Sequence, residues 1–356
     1  NGVGDFYYEP PTDFLALCTS NLPDPEIKLP GDYFNTVLYT GNTSTNAISG
    51  VGLAPDFVWA KDRAANYHGL WDSVRGANKV LYSNTTTAET ESATTGLASF
   101  DSDGFTLGAN TTWNNSGNSL VAWNWLAGTA PTVDNSAGAG ATPTAGSVKI
   151  DGSNLGSALA GGIAAKRLSA NTTAGFSIVS YEGTDANATI GHGLSQAPEL
   201  LIIKALDTGS TSWAVGADAM TSWAYSMELD TTDAQASVAT RFNSTAPTAS
   251  VFSVGDSGYT NAPSGENFVA YCFHSVEGYS KVGSYDGNSS ADGTMVYTGF
   301  RPAWLLIKSF DTAGNSWHLL DDKRSPYNDA DLFLFPNGNT VETQSSPGID
   351  FLSNGF

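Results

Sequence analysis

"LAPDFVWAK", residues 53–61, returns as "QAPELLIIK" at 196–204 and as "FRPAWLLIK" at 300–308. In each copy the proline and the lysine stand six positions apart: Pro55 and Lys61, Pro198 and Lys204, Pro302 and Lys308. A proline opens a strand where no ladder N–H is required, and the apolar run behind it fits a strand covered on both faces. The lysine is expected to end that strand by carrying its charge to the rim. Chance does not hold such a register three times, so the chain reads as three copies of one unit.

The neighbouring sequence extends the match. "YTGN" at 39–42, "YEGT" at 181–184 and "YDGN" at 285–288 precede the three runs, and "LWDSVRG" at 70–76, "SWAVGAD" at 212–218 and "LLDDKRS" at 319–325 follow them. Residues 105–108 match 252–255, and 117–123 match 265–271. "DSDG" at 101–104 and "LSNG" at 352–355 are Asx-Gly hairpin signals. "SLVAWNW" at 119–125 and "NFVAYCF" at 267–273 carry large side chains on both faces, as central strands do.

Short strands, Gly/Asn/Ser turns and almost no 3.6-residue periodicity predict an all-β chain of tandem β-sandwich or jelly-roll repeats, strung like beads. Repeat one is assigned to 35–127, repeat two to 176–276 and repeat three to 277–356. Between the first two, 128–175 is rich in Gly, Ala, Ser and Thr and is expected to be a linker or extended arm that packs on a neighbouring module or subunit. Phe356 falls in the register of Phe105 and Phe252, so repeat three is expected to lack its last strand. With no initiator Met at Asn1, the chain reads as a segment of a longer polypeptide.

The 15 Lys and Arg against 35 Asp and Glu give a net charge of −20. Nucleic-acid binding needs a clustered basic patch to displace counterions, and the sequence has none. The negative charge favours solubility in salty surroundings. No apolar run is long enough to cross a bilayer as a helix, so no membrane insertion is expected. Cys18 and Cys272 stand far apart in unlike contexts and suggest neither a disulfide framework nor a metal site.

"GDFYYEPPTDFLALCTSNLPDP" at 4–25, followed by the repeated "GLAPDFVWAK", "FDSDGFTLG", "SGNSLVAWNW" and "VEGYSKVGSYDGN", resembles large virion proteins of marine bacteriophages. In those proteins a SPRY-like domain precedes repeated modules similar to concanavalin-A-like (lectin-like) sandwiches. The resemblance implies that 1–34 is the exit of such a domain with its connector, and that the chain is displayed on the virion surface after synthesis in the bacterial cytoplasm. It implies a tail-fibre or host-receptor-binding structural role, with other virion proteins, further copies of the chain in a trimer, and a host-surface glycan as partners. A capsid decoration or head-fibre protein and a polysaccharide-degrading tail protein are the alternatives. The resemblance transfers no site residues.

No catalytic motif or paired zinc-ligand spacing is present, and His68, His192, His274 and His318 occupy unlike positions of the repeat, so no enzymatic activity is expected. For His192 in "IGHGLSQ" a turn role is preferred to that of a catalytic base. Asp101 and Asp103 are calcium candidates, since Ca2+ takes oxygen ligands from irregular loops, but a hairpin role is the plainer reading. No other cofactor is implied. Asp72 with Arg75 and Asp321 with Arg324 are read as structural ion pairs, replaced in repeat two by Asp218 with Thr221. Trp113 and Tyr259 share one variable-length loop among small polar residues, and exposed rings there are candidates for stacking on a sugar, although a loop Trp folded onto its own sandwich is the plainer reading.

Overall fold

The structure, a computed structural model, describes Pro11 and residues 25–92, 95–263 and 265–356. Cys18 and nearly all of the stretch that resembles the exit of a SPRY-like domain lie outside the described residues. Several antiparallel sheets make up the fold, and the described residues contain no α-helix.

Repeat one is two sheets facing each other. The first runs in the order Phe34–Thr40, Ser119–Trp125, Phe57–Asp62, Gly69–Asp72, so the closing strand is inserted between the opening strand and the strand of the quoted run. Ser119–Trp125 is antiparallel to both neighbours, with Trp125 opposite Phe34 on one side and Phe57 on the other. The second sheet is Asn46–Ser49, Gly104–Leu107 and Leu97–Asp101. Its hairpin needs a glycine at Gly104, where φ is +146° and a Cβ would stand 2.0 Å from the Ile48 carbonyl oxygen.

Repeat two keeps the same order, Phe176–Glu182, Asn267–Phe273, Leu200–Ala205, Ala214–Ala217, with Ala188–Gly191 and Val251–Val254 opposite. It also absorbs half of the expected arm. Val148–Ile150, Ser153–Asn154 and Ala165–Asn171 extend one edge of its main sheet, where Ala165–Asn171 pairs with Phe176–Glu182, and Tyr225–Glu228 with Ala236–Ser237 at the other edge bring the sheet to nine strands. The arm is therefore no spacer from residue 148 onward. Val148, Ile163 and Leu168 are buried in the core of repeat two, and the small residues let the backbone pass closely: a Cβ on Gly128 would meet the Ala170 oxygen at 2.4 Å.

Repeat three pairs Trp304–Ile307 with His318–Asp321 and Ala330–Phe333 with Thr343–Ile349. One aromatic contact fixes its register. Phe105, Phe252 and Phe356 each meet a tyrosine edge-on, Tyr39, Tyr181 and Tyr285, at 6.1, 6.2 and 5.8 Å between ring centres.

The strands of the quoted runs are covered on both faces, and the second cover is not the expected one. In repeat one Val58, Ala60 and Ala122 face the repeat's own second sheet, whereas Phe57, Trp59, Val121, Trp123 and Trp125 face outward into a core shared by all three repeats. Ile178, Ile202, Val269 and Tyr271 enter that core from repeat two, and Trp317, Leu319 and Leu334 from repeat three. The three repeats are thus not beads. Period-2 alternation sends one set of side chains into each repeat's private core and the other set into the common one.

Trp213, fully buried in the common core, donates its Nε1–H to the Tyr82 carbonyl of repeat one at 2.9 Å and lies over Tyr271. Trp213→Ala is expected to cost about 3–5 kcal/mol. Calorimetry should show one transition, shifted as a whole. Separate melting of the repeats would contradict a common core.

Candidate functional site

The three lysines and the two Asp–Arg elements that the sequence singles out lie on the seams between repeats. Lys61 donates from Nζ to the Asp62 and Ala65 carbonyls of its own repeat and to Thr340 of repeat three at 3.2 Å. Lys204 of repeat two reaches Thr86 of repeat one at 2.9 Å, besides Thr211. Lys308 of repeat three reaches Thr232 of repeat two at 3.3 Å, besides Ser309 and Asn315. Each repeat hands hydrogen bonds to the next, and the hand-over closes: one to three, three to two, two to one.

This corrects the expectation that the lysines carry charge to the rim. Lys61 and Lys204 are wholly buried, because the neighbouring loop's carbonyls, rather than water, satisfy the ammonium donors. Burial pulls Lys61 down to about 8, against the opposing pull of Asp62 and Glu342. It does the same to Lys204, which Asp230 and Glu266 partly offset.

A second hand-over runs beside the first. Trp213 donates to Tyr82, and Trp317 of repeat three donates to the Glu228 carbonyl of repeat two at 3.0 Å. In repeat one the corresponding residue is His68. Its Nδ1 accepts from Trp59 Nε1 at 2.9 Å, so the ring proton sits on Nε2. Burial lowers its pKa well below the ordinary value and Lys61 adds to that; the Phe335 carbonyl of repeat three opposes, although Nε2 has no partner in hydrogen-bond geometry.

The two Asp–Arg elements are buried ion pairs that also cross a seam. Arg75 Nε meets Asp72 Oδ2 at 2.6 Å, and the same oxygen accepts from the Tyr271 hydroxyl of repeat two at 2.8 Å. Arg324 meets Asp321 at 2.6 Å, and Asp321 accepts from Trp123 Nε1 of repeat one at 3.0 Å. Glu89 and Glu342 neutralise the far side of each guanidinium.

In repeat two the residues standing in for the pair are Ala217 and Met220, rather than Asp218 and Thr221. Ala217 lies opposite Leu200 as Asp72 lies opposite Phe57 and Asp321 opposite Trp304. Asp218 N bonds to the Glu199 carbonyl as Ser73 N does to Asp56 and Asp322 N to Ala303. An apolar pair thus replaces a buried ion pair, a substitution that buried sites tolerate when both partners change together.

The aromatic candidates fare differently. Trp113 is 2 % exposed, packed edge-on against Trp71 and bonded through Nε1 to the Tyr67 carbonyl, so neither ring face is open to a sugar. Tyr259 is half-buried with the Arg241 guanidinium 4.1 Å above its ring. Nor do the two share a position: Tyr39 bonds to the Trp113 carbonyl and Tyr181 to that of Thr260.

The residues that hold this loop are Asn114 and Asn261, which sequence reading passed over. Asn114 Nδ2 donates to Ser44 and Gly108 carbonyls, and Asn261 Nδ2 to Ala186 and Gly255. Their signal was the six-residue spacing from Gly108 and from Gly255.

Asp103 accepts from Gly50 N and Gly52 N, and Asp101 from the Ser99 and Thr106 hydroxyls, so both carboxylates are taken up by the hairpin. Bonds from Gly52 and then Gly50 lower the Asp103 pKa. Among the described residues no group of three or more His, Cys, Asp or Glu is arranged to hold a metal. His192 bonds to the Thr248 carbonyl and accepts from Leu194 N, and burial holds it near 4. Burial likewise pushes the Cys272 thiol up to about 12.

A cavity of about 1420 Å³ lies beside repeat three, between residues 280–287 and 304–309, and is backed by Ala217, Met220 and Met227 of repeat two.

These features define an all-β, repeat-built chain whose buried charges join its repeats. Residues 29–149 and 147–356 each match a family described as a domain of unknown function (DUF7483), and the chain belongs to that family. No curated protein and no solved structure matches the chain.

Two measurements test the seams. Arg324→Met alone leaves Asp321 buried without its partner and is expected to cost about 3–5 kcal/mol, whereas Asp321→Ala combined with Arg324→Met, the arrangement of repeat two, should cost less than that single change. Denaturant titration of the three variants decides it. The lysines give a pH signature. Below about pH 8 Lys61 and Lys204 are charged folded and unfolded, so the burial cost is fully present. Between about 8 and the ordinary lysine value near 10.4 the unfolded chain binds more protons than the folded one, so stability should rise with pH. A denaturation midpoint that falls between about pH 8 and 9.5, or a rise unchanged by Lys61→Met with Lys204→Met, would contradict this.

Proposed function

We propose that the protein is a non-enzymatic structural component on the outside of a bacteriophage particle, a tail-fibre or other host-facing element. In this reading each two-sheet unit is a lectin-like, concanavalin-A-like sandwich. The observation that supports it is where the buried charges are used. Asp72, Arg75, Asp321, Arg324 and the two fully buried lysines link one repeat to another, which serves mechanical integrity. A net charge of −20 suits a surface exposed to salty water.

Its partners in this reading are other virion proteins, further copies of the chain and a host-surface glycan, for which Tyr259 is the remaining aromatic candidate. The enclosure of Trp113 favours a second reading, a capsid decoration or head-fibre protein with no ligand to bind. Immunogold labelling of intact virions with antibody against residues 29–356 separates them. Label at the tail supports the host-facing reading and label over the capsid the decoration reading. Absence of label from particles that assemble normally would overturn both.

A further inference from the structure

Repeat three has an open place in its main sheet. In repeats one and two the closing strand lies between the opening strand and the strand of the proline–lysine run, bonded to both. Among the described residues Trp304–Ile307 pairs only with His318–Asp321, and its other edge has no strand partner. Residues 280–286 occupy the place of the opening strand, as the Tyr285–Phe356 contact fixes, yet no ladder joins them to Trp304–Ile307. The 1420 Å³ cavity lies between the two, lined by Val282, Tyr285, Trp304 and Leu306 and by Ala217 and Met220 of repeat two. It exceeds the roughly 300–1,000 Å³ usual for a small-molecule site. Trp304 Nε1 is buried there without a hydrogen-bond partner.

We propose that this slot is a docking site for one extended segment, a closing strand of the family's own repeat, which inserts antiparallel to Trp304–Ile307 and adds to its free edge. The neighbouring repeat dictates the strand's central residue. Trp123 points at Asp321 of repeat three and Tyr271 at Asp72 of repeat one, each with a donor for the carboxylate. The third such residue faces Ala217 and Met220, which offer no side-chain acceptor stronger than a thioether sulfur. The incoming strand therefore carries a donor-free apolar residue, phenylalanine for choice, where its counterparts carry Trp or Tyr, because a buried donor left without an acceptor weakens binding.

The test adds synthetic peptides to the full 356-residue chain: residues 117–126, the same peptide with Trp123→Phe, and that variant with Ala122→Pro. Calorimetry gives affinity and amide hydrogen exchange gives location. The Trp123→Phe peptide is expected to bind on the order of tenfold more tightly than its parent. It should also slow exchange in 280–286 and 304–307, while the proline peptide, which cannot complete the ladder, does neither. Absence of binding by both non-proline peptides, equal binding by the proline variant, or protection elsewhere than in these two segments would overturn the proposal. Tighter binding of the tryptophan parent would overturn the assignment of the central residue.

Discussion

A strand whose two faces are both apolar needs two covers, and the rest of this structure follows from how the second is supplied. One face of Phe57–Asp62 is closed by the repeat's own second sheet. The other is closed only by the corresponding faces of the other repeats, which bring Trp59, Trp123, Trp213, Tyr271 and Trp317 into one core. Each repeat leaves a large apolar surface exposed when alone, so the repeats depend on one another for burial.

Apolar contact is non-directional, and the seams supply direction. Carbonyls of a neighbouring loop cannot be left dry without a donor, and Lys61, Lys204 and Lys308 bring ammonium groups on stems long enough to reach them. The tryptophan and tyrosine bonds to neighbouring carbonyls and carboxylates set the rotation of one repeat against the next. Buried charge adds little net stability to such seams, but a lysine without its carbonyls is costly enough to exclude other arrangements.

Much of the all-β architecture was legible in the sequence, because the Pro-to-Lys spacing and the two-faced apolar runs are local signals. The partner of the second face was not, since nothing in "PDFVWAK" distinguishes a sheet of the same repeat from one of another. Ala217 and Met220 escaped for a related reason. An apolar pair bears no chemical likeness to Asp72 and Arg75, so similarity of letters drew the alignment one place along, to Asp218 and Thr221. Composition hid the strands at 148–171, whose small residues are demanded by close backbone approach as readily as by a linker. For Trp113 the sequence favoured a ring folded onto its own sandwich, and the ring is buried there; what the polar neighbours did not reveal is that Asn114 bonds the loop inward.

The lysine hand-over runs one to three, three to two and two to one, a head-to-tail contact that returns to its start. Head-to-tail contacts that fail to close make filaments of indefinite length; those that close fix the number of members. A fourth repeat therefore has no seat in this ring, in contrast to an open solenoid, which grows by one unit at a time. In a longer protein made of such repeats any further copy lies outside this ring and makes its contacts by some other surface.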